Sequence, residues 1–344
     1  MLKHRFFDDY SEGAHPRVLE LLASGNLAQE PGYGEDALSE RAVALVRQAI
    51  GNHDAAVHFV SGGTQANLVA LASMLRPHES VIAADTAHIH VHETGAIEAT
   101  GHKINLVPNR DGKLTPQQVR AVVAQHADEH MVLPRAVFIA QATESGTLYA
   151  KAELTALSRC CRELGLYLYL DGARLGPALA SRVADITLAE LSALVDMFYL
   201  GGTKNGALLG EAIVINNLAL HAHFRYHLKQ RGALLAKGRL LAAQFVALLE
   251  DGLYFELAGH ANAMAARLAD GLRGRGVRFA SEPVANQVFP ILPDAVVAAL
   301  REHYGFHVWS PSDGTHSTIR LVSSWATRPD AVDMFLDDFA VLAR

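Results

Sequence analysis

Short apolar runs recur along the first two thirds of the chain, at residues 57–59, 81–84, 104–107, 136–140, 166–170, 197–200 and 212–215, with helical spacing between them. This alternation is the strongest constraint on the fold. Strand, helix, strand in repetition implies right-handed crossovers and a mostly parallel sheet of seven strands covered by helices on both faces, an α/β architecture. The chain has 344 residues, half of them hydrophobic. That exceeds what one core usually serves, so a large domain (1–254) and a smaller α/β carboxyl-terminal domain (255–344) are expected. Residues 221–257, rich in Ala, Leu, Lys and Arg, read as one long helix bridging the two. The smaller part carries strand-like runs at 277–280, 287–291 and 318–322.

Composition narrows the ligands. A formal charge of −6 offers no polybasic footprint for nucleic acid or an anionic membrane. No apolar run is long enough to span a bilayer, and the amino terminus lacks a signal-peptide core, so a cytoplasmic location is expected. The only cysteines, Cys160 and Cys161, are neighbours on an expected helix and point apart, which argues against a disulfide.

Three segments carry chemistry. The run VDMFYLGGTKNG (195–206) places Lys204 just past an apolar strand, in a glycine-flanked turn. Taken alone this is a solvated loop lysine. In a desolvated, positively biased pocket its amine would stay partly unprotonated and condense with an aldehyde. Upstream, LYLYL (166–170) ends in Asp171-Gly172-Ala173-Arg174, and polar residues at a strand's carboxyl end fall where open α/β sheets bind ligands. Asp171 could simply cap the next helix and pair with Arg174; beside a pyridine nitrogen, the same carboxylate would keep that nitrogen protonated. Further upstream, His58-Phe59-Val60 runs into SGGTQAN (61–67) and a helical pattern, a strand–turn–helix that suits a phosphate at a helix amino terminus. A phosphate seat, an acid for a ring nitrogen and a lysine for an aldehyde together describe pyridoxal 5'-phosphate (PLP).

The order SGGTQANL, AHIHVHETGA, DGARL, GGTKNG and IRLVSSWAT resembles the threonine aldolase and β-eliminating lyase branch of the fold-type I PLP enzymes, over nearly the whole chain from Phe7 to Trp325. The resemblance implies that Lys204 holds PLP, that Asp171 binds its ring nitrogen, and that Gly63 and Thr64 hold its phosphate. It also implies that His88 stacks on the ring and that Arg174 and Arg320 bind the substrate carboxylate, which suits a guanidinium fork. His130, or the nearby His126, answers to a family histidine that reaches the substrate hydroxyl; the base stays open between His88, His130 and an ordered water. Many relatives have Ser-Asp where this chain reads Asp8-Asp9, which places Asp8 beside the substrate carboxylate and near Arg174 or Arg320. The family activity is cleavage of L-threonine, L-allo-threonine or related β-hydroxy-α-amino acids to glycine and an aldehyde. A homodimer or homotetramer with shared sites is implied, the partner's 229–231 region supplying a basic residue near the phosphate.

Other readings remain at this stage. The same cradle would serve a β-eliminating lyase or an aminotransferase, and a regulator could bind PLP without turnover. The run His88-Ile89-His90-Val91-His92-Glu93, if extended, would put three imidazoles on one strand face and suggest a metal. It reads better as a strand end followed by His88 turned into the site and a helix starting near His92, with no metal.

Overall fold

The computed structural model describes residues 2–343. Seven strands form its main sheet: β1 (Ala56–Val60), β2 (Glu79–Ala84), β3 (Lys103–Val107), β4 (Leu133–Ala140), β5 (Tyr167–Asp171), β6 (Met197–Gly201) and β7 (Glu211–Ile215). The order across the sheet is β1-β7-β6-β5-β4-β2-β3. All neighbours run parallel except β7, which is antiparallel to both β6 and β1. Each expected run lies within or overlaps one of these strands. Successive residues supply opposite faces, as the two-residue strand period requires: Val137 and Phe198 pack into one apolar layer, Phe138 and Tyr199 into the other.

This topology aligns several carboxyl ends on one edge. Glu211, the first residue of β7, pairs with Val60 at the end of β1 and with Gly201 at the end of β6. The turns after β1 and β6 therefore leave the sheet side by side, with the start of β7 between them.

A second, antiparallel sheet is built from Arg278–Phe279, Gln287–Val288, Pro290–Pro293, His307–Ser310 and His316–Val322. It shares an apolar cluster with the helices Leu253–Arg273, Asp294–Arg301 and Pro329–Leu342. The expected single helix over 221–257 is broken. A 3-10 turn (Leu218–His221) precedes helices Phe224–Gln230 and Arg239–Leu249, and the chain then turns into Leu253–Arg273. Gly232, Asp251 and Gly252 adopt φ of 68°, 56° and 74°, left-handed conformations that stop a right-handed helix whatever the propensity of its neighbours. The bridge is instead the Leu253–Arg273 helix. Its first turns bury Leu253, Tyr254 and Leu257 in the core of the main sheet, and Leu268 and Leu272 join the second cluster.

The site edge depends on close backbone approach. A Cβ on Gly172 would sit 1.8 Å from the Tyr199 carbonyl oxygen, a rigid obstacle. Gly172→Ala is expected to destabilise by about 3 kcal/mol or more, the upper range for overpacking. Gly259→Ala, in the Leu253–Arg273 helix with open space around it, should be neutral or stabilise by roughly 0.5–1 kcal/mol. Thermal unfolding of the two variants checks the contrast.

Candidate active site

Lys204 is held by the turn that follows β6. The Gly202 N–H donates to Glu211 Oε2 at 2.9 Å, and the N–H groups of Gly202 and Thr203 both reach the Gly210 carbonyl at 3.1 Å. The Gly210 N–H returns to Thr203 Oγ1, and Asn205 Nδ2 donates to the Tyr254 carbonyl. Pinned on both sides, the lysine projects into a cleft lined by Tyr10, His88, Glu144, Arg174, Trp309 and Arg320, among others. Burial and the Arg174 charge lower its pKa below the usual lysine value, against opposing pulls from Asp9, Glu144 and Asp171. Lys204 thus has the reactive-amine character that an aldehyde partner requires.

Asp171 ends β5 and is buried. Its carboxylate accepts from the Tyr199 hydroxyl, from Asn67 Nδ2 at 3.0 Å and from the Ala173 N–H at 3.0 Å. Asn67 Nδ2 also donates to Glu93 Oε1 at 2.7 Å, and Glu93 Oε1 meets His88 Nδ1 at 2.8 Å. One amide therefore links the Asp171 carboxylate to the imidazole. Burial opposes protonation of His88, but the Glu93 hydrogen bond and the charges of Glu144 and Asp171 carry its pKa above the ordinary histidine value.

Arg174 does not pair with Asp171. Its Nε and Nη2 bind Asp9 at 2.7 and 3.1 Å, and Asn286 Nδ2 adds a third donor to the same carboxylate. Asp9 is fully buried. Burial alone would raise its pKa, but Arg174, Lys204 and Asn286 hold it below the usual carboxylate value. Arg320 stacks on Trp309, its guanidinium carbon 4.9 Å from the ring centroid, and its buried Nε has no partner among the described residues. Two guanidinium groups thus reach the cleft.

The Gly63–Met74 helix begins directly after β1. Its N-cap, Gly62, provides no side-chain capping bond, so the helix's free N–H groups are not satisfied by its own cap. Asn67, in the second turn of that helix, hydrogen-bonds Asp171. These residues fit PLP: an uncapped helix amino terminus for a dianionic phosphate, a buried carboxylate for a pyridine nitrogen, and a depressed-pKa lysine for the aldehyde.

Two expected placements are corrected. His130 lies in an exposed turn before β4, its N–H bonded to Asp128. The sheet edge that carries Asp171 is at the other end of β4, eight residues and roughly 25 Å away at strand rise. His126 caps the preceding helix through Val122 and is no nearer to playing that part. Asp8 forms no ion pair with Arg174 or Arg320 among the described residues; its carboxylate lies 3.8 Å from His307, which lines the same cleft and pairs with Arg320 across the second sheet, while Asp9 takes Arg174. The segment 88–91 is one helical turn, not a strand or the lead-in to a helix at His92, which leaves His92 exposed. Among the described residues no group of His, Cys, Asp or Glu side chains is arranged to hold a metal ion. Sequence reasoning missed Asn67, Tyr199, Glu211 and Glu144 as members of the site. Glu144 follows the carboxyl end of β4, and the rule that singled out Asp171 and Lys204 would have reached it.

A family model described as beta-eliminating lyase matches residues 16–295. The chain belongs to this family. Over 331 residues it is 39% identical to a low specificity L-threonine aldolase of Pseudomonas aeruginosa, spanning 94% of this chain and 93% of that protein. A solved structure of Leishmania major threonine aldolase superposes with a TM-score of 0.98 at 46% identity, covering 99% of this chain and all of the other. A Thermus thermophilus aspartate aminotransferase variant shares the fold, with a TM-score of 0.73 at 16% identity. The membership makes the chain a PLP-dependent lyase.

Asp9 and Asp8 separate cleanly by experiment. Asp9→Asn leaves a buried guanidinium without its counter-charge, a loss expected to cost about 3–5 kcal/mol. Because the folded pKa of Asp9 is depressed, its contribution is complete above about pH 4 and fades as pH falls through the folded value. Unfolding measured against pH should therefore show the loss at neutral pH, with a flatter acid limb in the variant. Asp8→Ser should change stability by no more than about 0.5 kcal/mol.

Proposed function

We propose that the protein is a PLP-dependent aldolase of low specificity that cleaves L-threonine, L-allo-threonine and related β-hydroxy-α-amino acids to glycine and an aldehyde. The observation that carries this reading is the convergence on one cleft of Lys204, with its lowered pKa, and the guanidinium groups of Arg174 and Arg320, above the buried Asp171. The similarity to low specificity L-threonine aldolases supports the choice of reaction.

Bound PLP would supply the electron sink that lets a bond at the substrate's Cα break. The protein's residues do the rest. Lys204 would hold the aldehyde carbon, and its amine, with its lowered pKa, would move protons at the substrate's Cα. Asp171, fixed by Tyr199, Asn67 and the Ala173 N–H, keeps its charge aimed at the ring nitrogen. Gly63 and Thr64 place the first-turn N–H groups around the phosphate. Arg320, with its unpartnered Nε, and Arg174, with Nη1 left over from the Asp9 pair, grip the carboxylate. Held in this way, the carboxylate would fix which Cα bond is broken, favouring Cα–Cβ cleavage over loss of the α-proton or of CO2. His88, held by Glu93, would stack on the ring.

We place the protein in the cytoplasm and its assembly at a homodimer or larger, a partner's 229–231 region completing the phosphate site. Light scattering checks the assembly, and an active monomer would exclude it. The function is tested by products and colour. The purified protein should be yellow, release glycine and acetaldehyde from L-threonine, and retain the cofactor covalently after borohydride. Lys204→Ala should lose that fixation and lower kcat by at least about 1,000-fold, the scale for removing a nucleophile. Pyruvate and ammonia, or a keto acid formed only with an amino acceptor, would identify a different lyase or an aminotransferase.

A further inference from the structure

Aldol cleavage requires a group that takes the proton of the β-hydroxyl, and the cleft contains one carboxylate that the protein leaves free. Asp9 is engaged by Arg174 and Asn286, Glu93 by His88 and Asn67, Asp171 by Tyr199, Asn67 and Ala173, and Glu211 by the Gly202 N–H. Glu144 lines the same cleft as Lys204 and, among the described residues, makes no hydrogen bond or ion pair. It is half-buried, and its charge acts on His88, His92, Arg174, Lys204 and Arg320, favouring the protonated form of each.

The backbone that carries Glu144 is fixed. Thr143 and Thr147 close the turn through an N–H to carbonyl bond of 3.0 Å and a hydroxyl pair at 2.8 Å, and the Thr147 hydroxyl donates to the Asp111 carbonyl. Ser281 donates to the Ser145 carbonyl at 2.8 Å. Gly146, at φ 75°, lies against the Phe289 ring, where a Cβ would come within 2.8 Å. Phe289 in turn meets Trp309 edge-on, and Trp309 carries Arg320. The turn is thus fastened to the wall that holds the substrate-side arginine.

We propose that Glu144 is a catalytic residue of this site, accepting the proton of the substrate's β-hydroxyl. The proposal rests on the aldolase reading and deepens it. The hydroxyl O–H bond breaks and its proton passes to the Glu144 carboxylate. The electron pair left on oxygen forms the aldehyde C=O as the Cα–Cβ bond breaks, and the pair from that bond stays with Cα. Cα takes up a proton and Glu144 releases its own to solvent, so the net change is one proton moved from oxygen to carbon. His88, its Nδ1 held by Glu93, keeps Nε2 as the rival acceptor, but the aldolase reading assigns that imidazole to the ring face. His92 stands at the exposed rim of the cleft.

The test separates the hydroxyl step from the rest of the chemistry. Exchange of glycine's α-proton with deuterium in solvent uses the same cofactor and the same carboxylate grip but has no β-hydroxyl. In holoenzyme carrying Glu144→Gln, threonine cleavage should fall by about 100-fold or more, the scale of general base catalysis, while glycine exchange and the KM for threonine stay within about threefold of the unaltered enzyme. Glu144→Ala should regain cleavage when formate is added, which also serves if the glutamine variant fails to fold. Cleavage within about threefold of the unaltered enzyme in Glu144→Gln would overturn the proposal. So would equal losses of cleavage and exchange, which mark a structural part, or the absence of any rescue by formate. An unaltered protein that does not cleave threonine at all would instead refute the aldolase reading itself.

Discussion

The buried pair between Asp9 and Arg174 ties together parts of the chain that are distant in sequence. Asp9 belongs to the amino-terminal segment, Arg174 follows β5 of the main sheet, and Asn286, which shares the same carboxylate, leads into the second sheet. Ion pairs so deeply buried add little net stability compared with apolar residues, since both charges must be stripped of water. Their value here is orientation. With Nε and Nη2 both bound to Asp9, the plane of the Arg174 guanidinium is set where it lines the cleft, before any ligand arrives.

The lysine depends on that arrangement. Arg174 lowers the pKa of Lys204 and Asp9 moderates the effect, so the pair tunes the amine while neutralising part of the charge between two guanidinium groups. Glu211 lies beneath the same turn, buried and shifted upward to about 7, with the Gly202 N–H and the Thr203 hydroxyl holding the shift below what burial alone would produce. The floor of the site is therefore made of charges in mutual balance rather than one strongly perturbed group.

The main sheet was legible because its strands are buried on both faces and appear as apolar runs, and because the rule that ligands gather at strand carboxyl ends needs only the strand positions. That rule located Asp171 at the end of β5 and Lys204 in the turn that follows β6. It was not applied to β4, where attention went to a histidine before the strand instead of the glutamate after it; residue type outweighed position, and His130 is at the wrong end. The division of labour between Asp8 and Asp9 was not legible either: sequence alone does not mark which of two adjacent carboxylates is turned inward, and the fully buried one is Asp9. The broken helix near residue 232 illustrates a third limit, since composition favours helix there while single left-handed residues decide where it stops.

Asn67 joins two buried carboxylates. Its nitrogen donates to both Glu93 and Asp171, while its side-chain oxygen accepts from the Tyr169 hydroxyl at 3.0 Å. An amide nitrogen only donates, which requires both carboxylates to present lone pairs to it. His88, Glu93 and Asp171 are therefore joined through a connector that cannot itself accept a proton. A proton can pass between His88 and Glu93 along their direct hydrogen bond but not across Asn67 to Asp171, so a pH–rate curve of the enzyme would report an apparent constant belonging to the His88–Glu93 pair rather than to either member.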